Sequence, residues 1–318
     1  MRIFLNLLLV LLFSTTLCFA QRNPTMTSAR DDADREQLYA RFLEHKKVPI
    51  AERQKLAYEA ARDYVRRYSG DQDSKLAEMR RFVTEYERVL ANFTLHEAFK
   101  KGNHLKTFEV GRSLVKKDPE NFYALATLSQ AGYANAQKGD VSLNEETIDY
   151  TKRALAIAES DNFRKPDPFA NAADARGFLN FALGWFLRAQ SPVEAAEALV
   201  RAVKSGSSYK DDPLTYNLLG IAILKGEYAH VSAEYNTKFG NKPPSPEQQA
   251  MLQQIIKLGN RAVDAYARAV ALSTKPEQQE ARAKMMAQLV QLYKSFHEGS
   301  DTGLNELIAG VLAKPLPE

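Results

Sequence analysis

Cysteine is almost missing from this chain: among 318 residues the only one is Cys18. If the N-terminal segment is removed, no disulfide, thiol nucleophile or cysteine metal site remains. Glycine and proline are also sparse, at 15 and 13, and they cluster, while Ala, Leu, Glu, Lys, Arg and Gln abound. That balance favours an all-α chain. Neither sign of charge dominates, since 43 basic and 39 acidic residues leave a formal charge of +4. A nucleic-acid footprint would need a basic stripe. Lys100, Lys101, Lys106, Arg112, Lys116 and Lys117 come nearest, and they read as a solvated helix face. No second hydrophobic run follows the N-terminal one, so no membrane span is expected after its removal. With 45% apolar and 26% charged residues, a folded core is expected rather than disorder. The length exceeds one ordinary domain and fits a solenoid or two domains.

The N-terminus has the layout of a secretory signal. Arg2 precedes an apolar run, residues 3–12, broken only by Asn6, and Ser14, Thr15 and Thr16 lead to Cys18-Phe19-Ala20. A hydrophobic segment of about ten residues is too short for a comfortable span. The small residues at 18 and 20 predict cleavage after Ala20; retention as an anchor is the alternative. A lipoprotein signal fits poorly, because bulky Leu17 precedes Cys18. The chain is expected to be exported, and periplasmic or secreted if the source is a Gram-negative bacterium.

Residues 21–32 read as a flexible lead-in and 33–87 as N-terminal helices. The centre of the pattern is 212–272. Tyr216, Leu219 and Ile223 share one helical stripe with Gly220 beside it, and Ala262, Tyr266 and Ala269 share another. Residues three and four apart lie on one face, so small residues let two helix backbones approach while tyrosines fill the space beside them. Earlier pairs are less regular: 89–101 with 105–117 around Gly111, Leu125 to Gly132 with 147–155, and Leu183-Gly184 with a helix started by Ser191-Pro192.

These paired stripes resemble the tetratricopeptide repeat family, which stacks helical hairpins. The resemblance covers about 89–272. It implies an all-α, right-handed helical-hairpin solenoid with extra N- and C-terminal helices. Four degenerate hairpins would occupy 88–272 and capping helices 273–318. The sequence departs from the family pattern in two ways. Gly111 stands where an aromatic is usual, and 228–258 is inserted where a turn is expected, against a usual connection of about 4–6 residues. Within the insertion, Tyr228, Val231, Tyr235 and Phe239 predict an extra helix. Ser245, Pro246 and Gln248 predict a capped start for a long helix from 246 to 272.

Catalytic chemistry is not signalled. His96-Glu97 lacks a second histidine one turn on, and there is no Gly-x-Ser-x-Gly elbow or phosphate loop. His96 and His104 could share a face, but zinc usually takes three or four protein ligands. No catalytic, cofactor or metal residue is expected. Asn92-Phe93-Thr94 matches a glycosylation acceptor but lies within a helical pattern.

The resemblance implies that the first helix of each unit builds the inner surface. It places Asn92, His96, Lys100, Tyr123, Gln130, Tyr133, Phe181, Trp185, Arg188, Asn217 and Lys225 there. Aromatic, amide and basic side chains suit peptide recognition; core packing is the plain alternative for Tyr133, Phe181 and Trp185. The expected function is a non-catalytic scaffold or adaptor that binds a peptide or protein in the cell envelope. Two alternatives stay open: an enzyme or enzyme subunit acting on an envelope polymer, and a structural homo-oligomer. If cleavage follows Ala20, Edman sequencing of the exported protein will begin Gln21-Arg22-Asn23, and a thiol assay of the denatured protein will be blank. A thiol would show that the leader is retained.

Overall fold

A computed structural model of the chain describes residues 24–70, 72–240 and 242–317. The expected leader and its cleavage point lie outside these residues. The described residues are all-helical, without a strand, and no described helix is long and apolar enough to cross a membrane. The chain divides into two compact units, one ending at Val89 and the other starting at Leu90.

The first unit contains α1 (Pro24–Lys46), α2 (Ala51–Arg67) and the beginning of α3 (Ser74–Lys100). The lead-in expected over 21–32 is helical from Pro24 on, because proline is accepted in a first turn and no glycine or second proline follows. Helix α2 begins at Ala51, two residues after Pro49. Gln54 Nε2 reaches back to the carbonyls of Lys46 and Val48, at 2.9 and 2.7 Å, and satisfies groups that the end of α1 leaves open. Phe42, Ala57, Ala61, Tyr64, Leu76 and Met79 form the buried core of this unit. The alanines let α1 and α2 approach closely, and Tyr39 and Lys46 both hydrogen-bond Glu78.

In the second unit the elements after α3 are α4 (His104–Lys117), α5 (Phe122–Gln137), α6 (Asn144–Ala158), α7 (Ala172–Leu187), α8 (Pro192–Lys204), α9 (Pro213–Ile223), α10 (Ala229–Phe239), α11 (Pro246–Leu272), α12 (Gln279–Phe296) and α13 (Leu304–Gly310). From α4 to α9 each helix packs on the next. Then α9 packs on α11, and α11 on α12. Helix α5 also touches α7, and α7 touches α9. Side-chain caps start several of these helices: the side chains of Asn103, Asn121, Asn171, Asp212 and Ser245 accept backbone N–H groups of their first turns, each such cap contributing about 1 kcal/mol. Ser191 makes no such bond, so α8 depends on Pro192 at its start.

One contact recurs along the unit. A Cβ on Gly132 of α5 would lie 2.0 Å from Thr147 Oγ1 of α6. On Gly184 of α7 it would lie 2.5 Å from Leu199 Cγ of α8, and on Gly220 of α9, 2.8 Å from Tyr266 Cε2 of α11. Glycine in the first helix therefore lets its partner side chain press against bare backbone. The unexpected Gly111 of α4 has the same cause, since a Cβ there would lie 2.6 Å from Leu128 Cδ2 of α5.

The insertion joins α9 to α10 through a π-helical turn, Leu224–Tyr228, in which Gly226 leaves helical geometry at φ −94° and ψ −107°. A Cβ on Gly226 would lie 3.0 Å from the Val193 backbone nitrogen, so the turn runs close against the start of α8. Val231 of α10 buries with Ile255 and Leu258 on the first half of α11. Gln248 does not close a capping box; its side chain donates to the Tyr235 hydroxyl at 3.1 Å and ties α11 to α10. At the C-terminus, buried Arg268 pairs with Asp264, Nε to Oδ1 2.6 Å, and donates to the carbonyls of Lys314 and Pro315, each at 2.9 Å.

Gly132→Ala should destabilise the protein by about 1–3 kcal/mol, the usual range for overpacking. Urea unfolding measures this, and an unchanged midpoint would mean that α5 and α6 do not meet at this point.

Candidate partner-binding surface

The α5–α7 wall gathers four of the expected side chains. Tyr133 of α5 sits edge-on to Trp185 at 5.4 Å and to Phe181 at 5.5 Å, both on α7. It also meets Phe178 at 6.1 Å. The Arg188 guanidinium caps this wall, 3.8 Å over the Trp185 ring, within cation–π range. Its Nη1 donates to the Trp185 carbonyl, and no described carboxylate forms an ion pair with it. Gln137 donates to the Tyr133 hydroxyl at 2.8 Å, which leaves the phenol proton free to be donated.

Phe181 belongs to the core. It is only 3% exposed and stacks on Tyr209 at 4.8 Å. On α7 it faces the short helical turn Ser208–Asp211 rather than solvent. Tyr133, Trp185 and Arg188 are half-buried and offer a polar edge beside apolar rings.

Burial controls the electrostatics here. It pushes the Tyr133 phenol up to about 12, with the Asp212 carboxylate adding to the rise and Arg188 opposing it. Burial also raises Tyr209, helped by Tyr133, Asp212 and Asp174. Arg188 is lowered by burial, with Tyr133 opposing. Asp212 is itself held by the start of α9, where it accepts from Thr215 N at 3.0 Å and Thr215 Oγ1 at 2.6 Å.

Other expected residues lie apart from this cluster. Asn92, His96 and Lys100 are on α3; His96 and Lys100 are exposed, and the Asn92 Oδ1 is buried without a donor. Tyr123 and Gln130 are half-buried on α5, with burial and then Asp167 raising the Tyr123 phenol. Lys225 is exposed in the π turn. Asn217 of α9 lines a cavity of about 400 Å³ with Asp212, Pro213, Leu214, Ile221, Ala281, Lys284, Met285 and Gln288, and its Oδ1 is buried without a donor. The α12 side of this cavity is not foreseen from the sequence. The stripe Ala281, Met285 and Gln288 is its signal, small and apolar residues ending in an amide.

His104 and His96 do not pair. His104 Nε2 lies 3.2 Å from Lys138 Nζ, and burial and then Lys138 lower its pKa. Among the described residues no group of three His, Cys, Asp or Glu side chains is placed to hold a metal ion. No family model matches the chain, and neither a curated protein nor a solved structure does so.

A phenol raised above its ordinary value near 10 contributes stability that is complete below pH ~10 and is lost as pH climbs through the folded value, about 12 for Tyr133. Tyr133→Phe should therefore flatten the fall of melting temperature over that interval. Identical slopes in both proteins would mean that the hydroxyl titrates as if exposed.

Proposed function

We propose that this chain is an exported scaffold or adaptor of degenerate tetratricopeptide repeats, holding a peptide or protein partner in the cell envelope. In this reading α5, α7 and α9 are first helices and α6, α8 and α11 their partners, arranged as a right-handed solenoid. The observation that carries it is the repeated glycine contact, Gly132 on Thr147, Gly184 on Leu199 and Gly220 on Tyr266. Consistent with it, α5, α7 and α9 also touch in succession. Stacked pairs of this kind put their first helices side by side, and a row of adjacent helices is an extended surface. On that surface stand Tyr133, Trp185 and Arg188, the residue types that dominate binding hot spots. Export rests on residues 1–20 alone.

The test is affinity capture from an envelope fraction, with the tagged mature protein and its Trp185→Ala and Arg188→Ala variants as baits, compared by quantitative mass spectrometry. A specific partner should be captured by the wild type and reduced at least about tenfold by either substitution, the scale of a hot-spot loss. Equal capture by all three baits removes this face from consideration. Turnover of cell-wall fragments by the purified chain would replace the adaptor reading with an enzymatic one.

A further inference from the structure

Resting on that reading, we infer the chemistry of the partner: an extended peptide segment with an acidic side chain beside a large aliphatic or aromatic one. The carboxylate docks on Arg188 and the apolar side chain enters the cavity between α9 and α12.

Arg188 is the first anchor. A guanidinium carries its N–H donors in a rigid fork that matches a carboxylate, and here Nη1 alone is engaged, by the Trp185 carbonyl. The guanidinium carbon lies 3.8 Å from the Trp185 ring centroid, and this contact helps hold the group in place. A partly desolvated cation without a counter-charge is costly, and an incoming carboxylate answers that cost. The Tyr133 hydroxyl, which accepts from Gln137, has its own proton left for a second bond.

The cavity is the second anchor. Pro213, Leu214, Ile221 and Met285 wall it, and its volume of about 400 Å³ suits one large side chain with adjoining backbone. Asn217 and Gln288 also line it and carry amides that can bond a peptide backbone beside the side chain it carries. Asp212 lines this cavity and its N–H donates to the Tyr209 carbonyl; the Tyr209, Phe181, Tyr133 and Trp185 rings then follow one another at 4.8, 5.5 and 5.4 Å up to Arg188, so one extended segment can span the two anchors. The chain's own tail does not fill the role, because Arg268 fastens Lys314 and Pro315 on α11.

The experiment selects a random dodecapeptide phage library on the immobilised mature protein. The winners are then remade with C-terminal amides and measured by fluorescence anisotropy. Enriched sequences should carry Asp or Glu within a few positions of Leu, Ile, Met or Phe. Changing that acid to its amide should weaken binding to the wild type at least tenfold and have little effect on Arg188→Ala. Ala281→Phe, which fills the cavity from a helix surface, should weaken the same peptides. Enriched sequences without an acid, or peptides that bind Arg188→Ala as tightly, overturn this inference and leave the adaptor reading standing. No enrichment at all counts against both. Self-association in light scattering that Arg188→Ala abolishes would assign the face to a second copy and also overturn it. The acid-to-amide peptide comparison needs no protein variant, so a poorly folded Arg188→Ala does not spoil the test.

Discussion

Bare helix backbone under a partner side chain is the contact on which the second unit depends. At Gly132, Gly184 and Gly220 there is no room for a methyl group. Each of these helices therefore approaches its partner more closely than a chain of larger residues allows. Close approach brings neighbouring apolar side chains such as Leu128, Leu183, Leu199, Leu219 and Val263 out of water, at about 1.5–3 kcal/mol for each large one. The described residues include no cysteine, so this nearest-neighbour burial takes the place of crosslinks. Glycine inside a helix costs about 1 kcal/mol in propensity, and the packing it permits offsets that.

The same constraint explains the insertion. A helix that continued straight from α9 could not bring α10 onto the first half of α11. The π turn at Leu224–Tyr228, with Gly226 against the start of α8, redirects the chain. Helix α11 is thereby supported at both ends: α9 packs on the half carrying Tyr266, and α10 on the half carrying Ile255 and Leu258. The excess length of α11 is covered rather than left overhanging.

Between α5 and α7, burial has a different result. The rings of Tyr133, Phe181, Trp185 and Tyr209 form a wall that also partly desolvates Arg188. Arg188, which no described carboxylate pairs, is thus held by its aromatic neighbours. Unspent donors distinguish it from surface cations that are paired along their own helices, such as Arg153 with Asp149 and Lys284 with Glu280.

Composition and periodicity alone determined that the described chain is helical, because sparse glycine and proline and a 3.6-residue apolar rhythm are local properties. The cap at Ser245 was legible for the same reason: it depends on residue type and short spacing. Tertiary structure decided what depends on partners distant in sequence. Phe181 and Trp185 are four residues apart on one helix, yet Tyr209 draws the first into the core while the second stays at the edge beside Arg188. Gln248 turned to Tyr235 instead of its own helix start, and α12 closed a cavity against α9. Which of two adjacent side chains is covered depends on the element that arrives opposite it, and no local pattern carries that information.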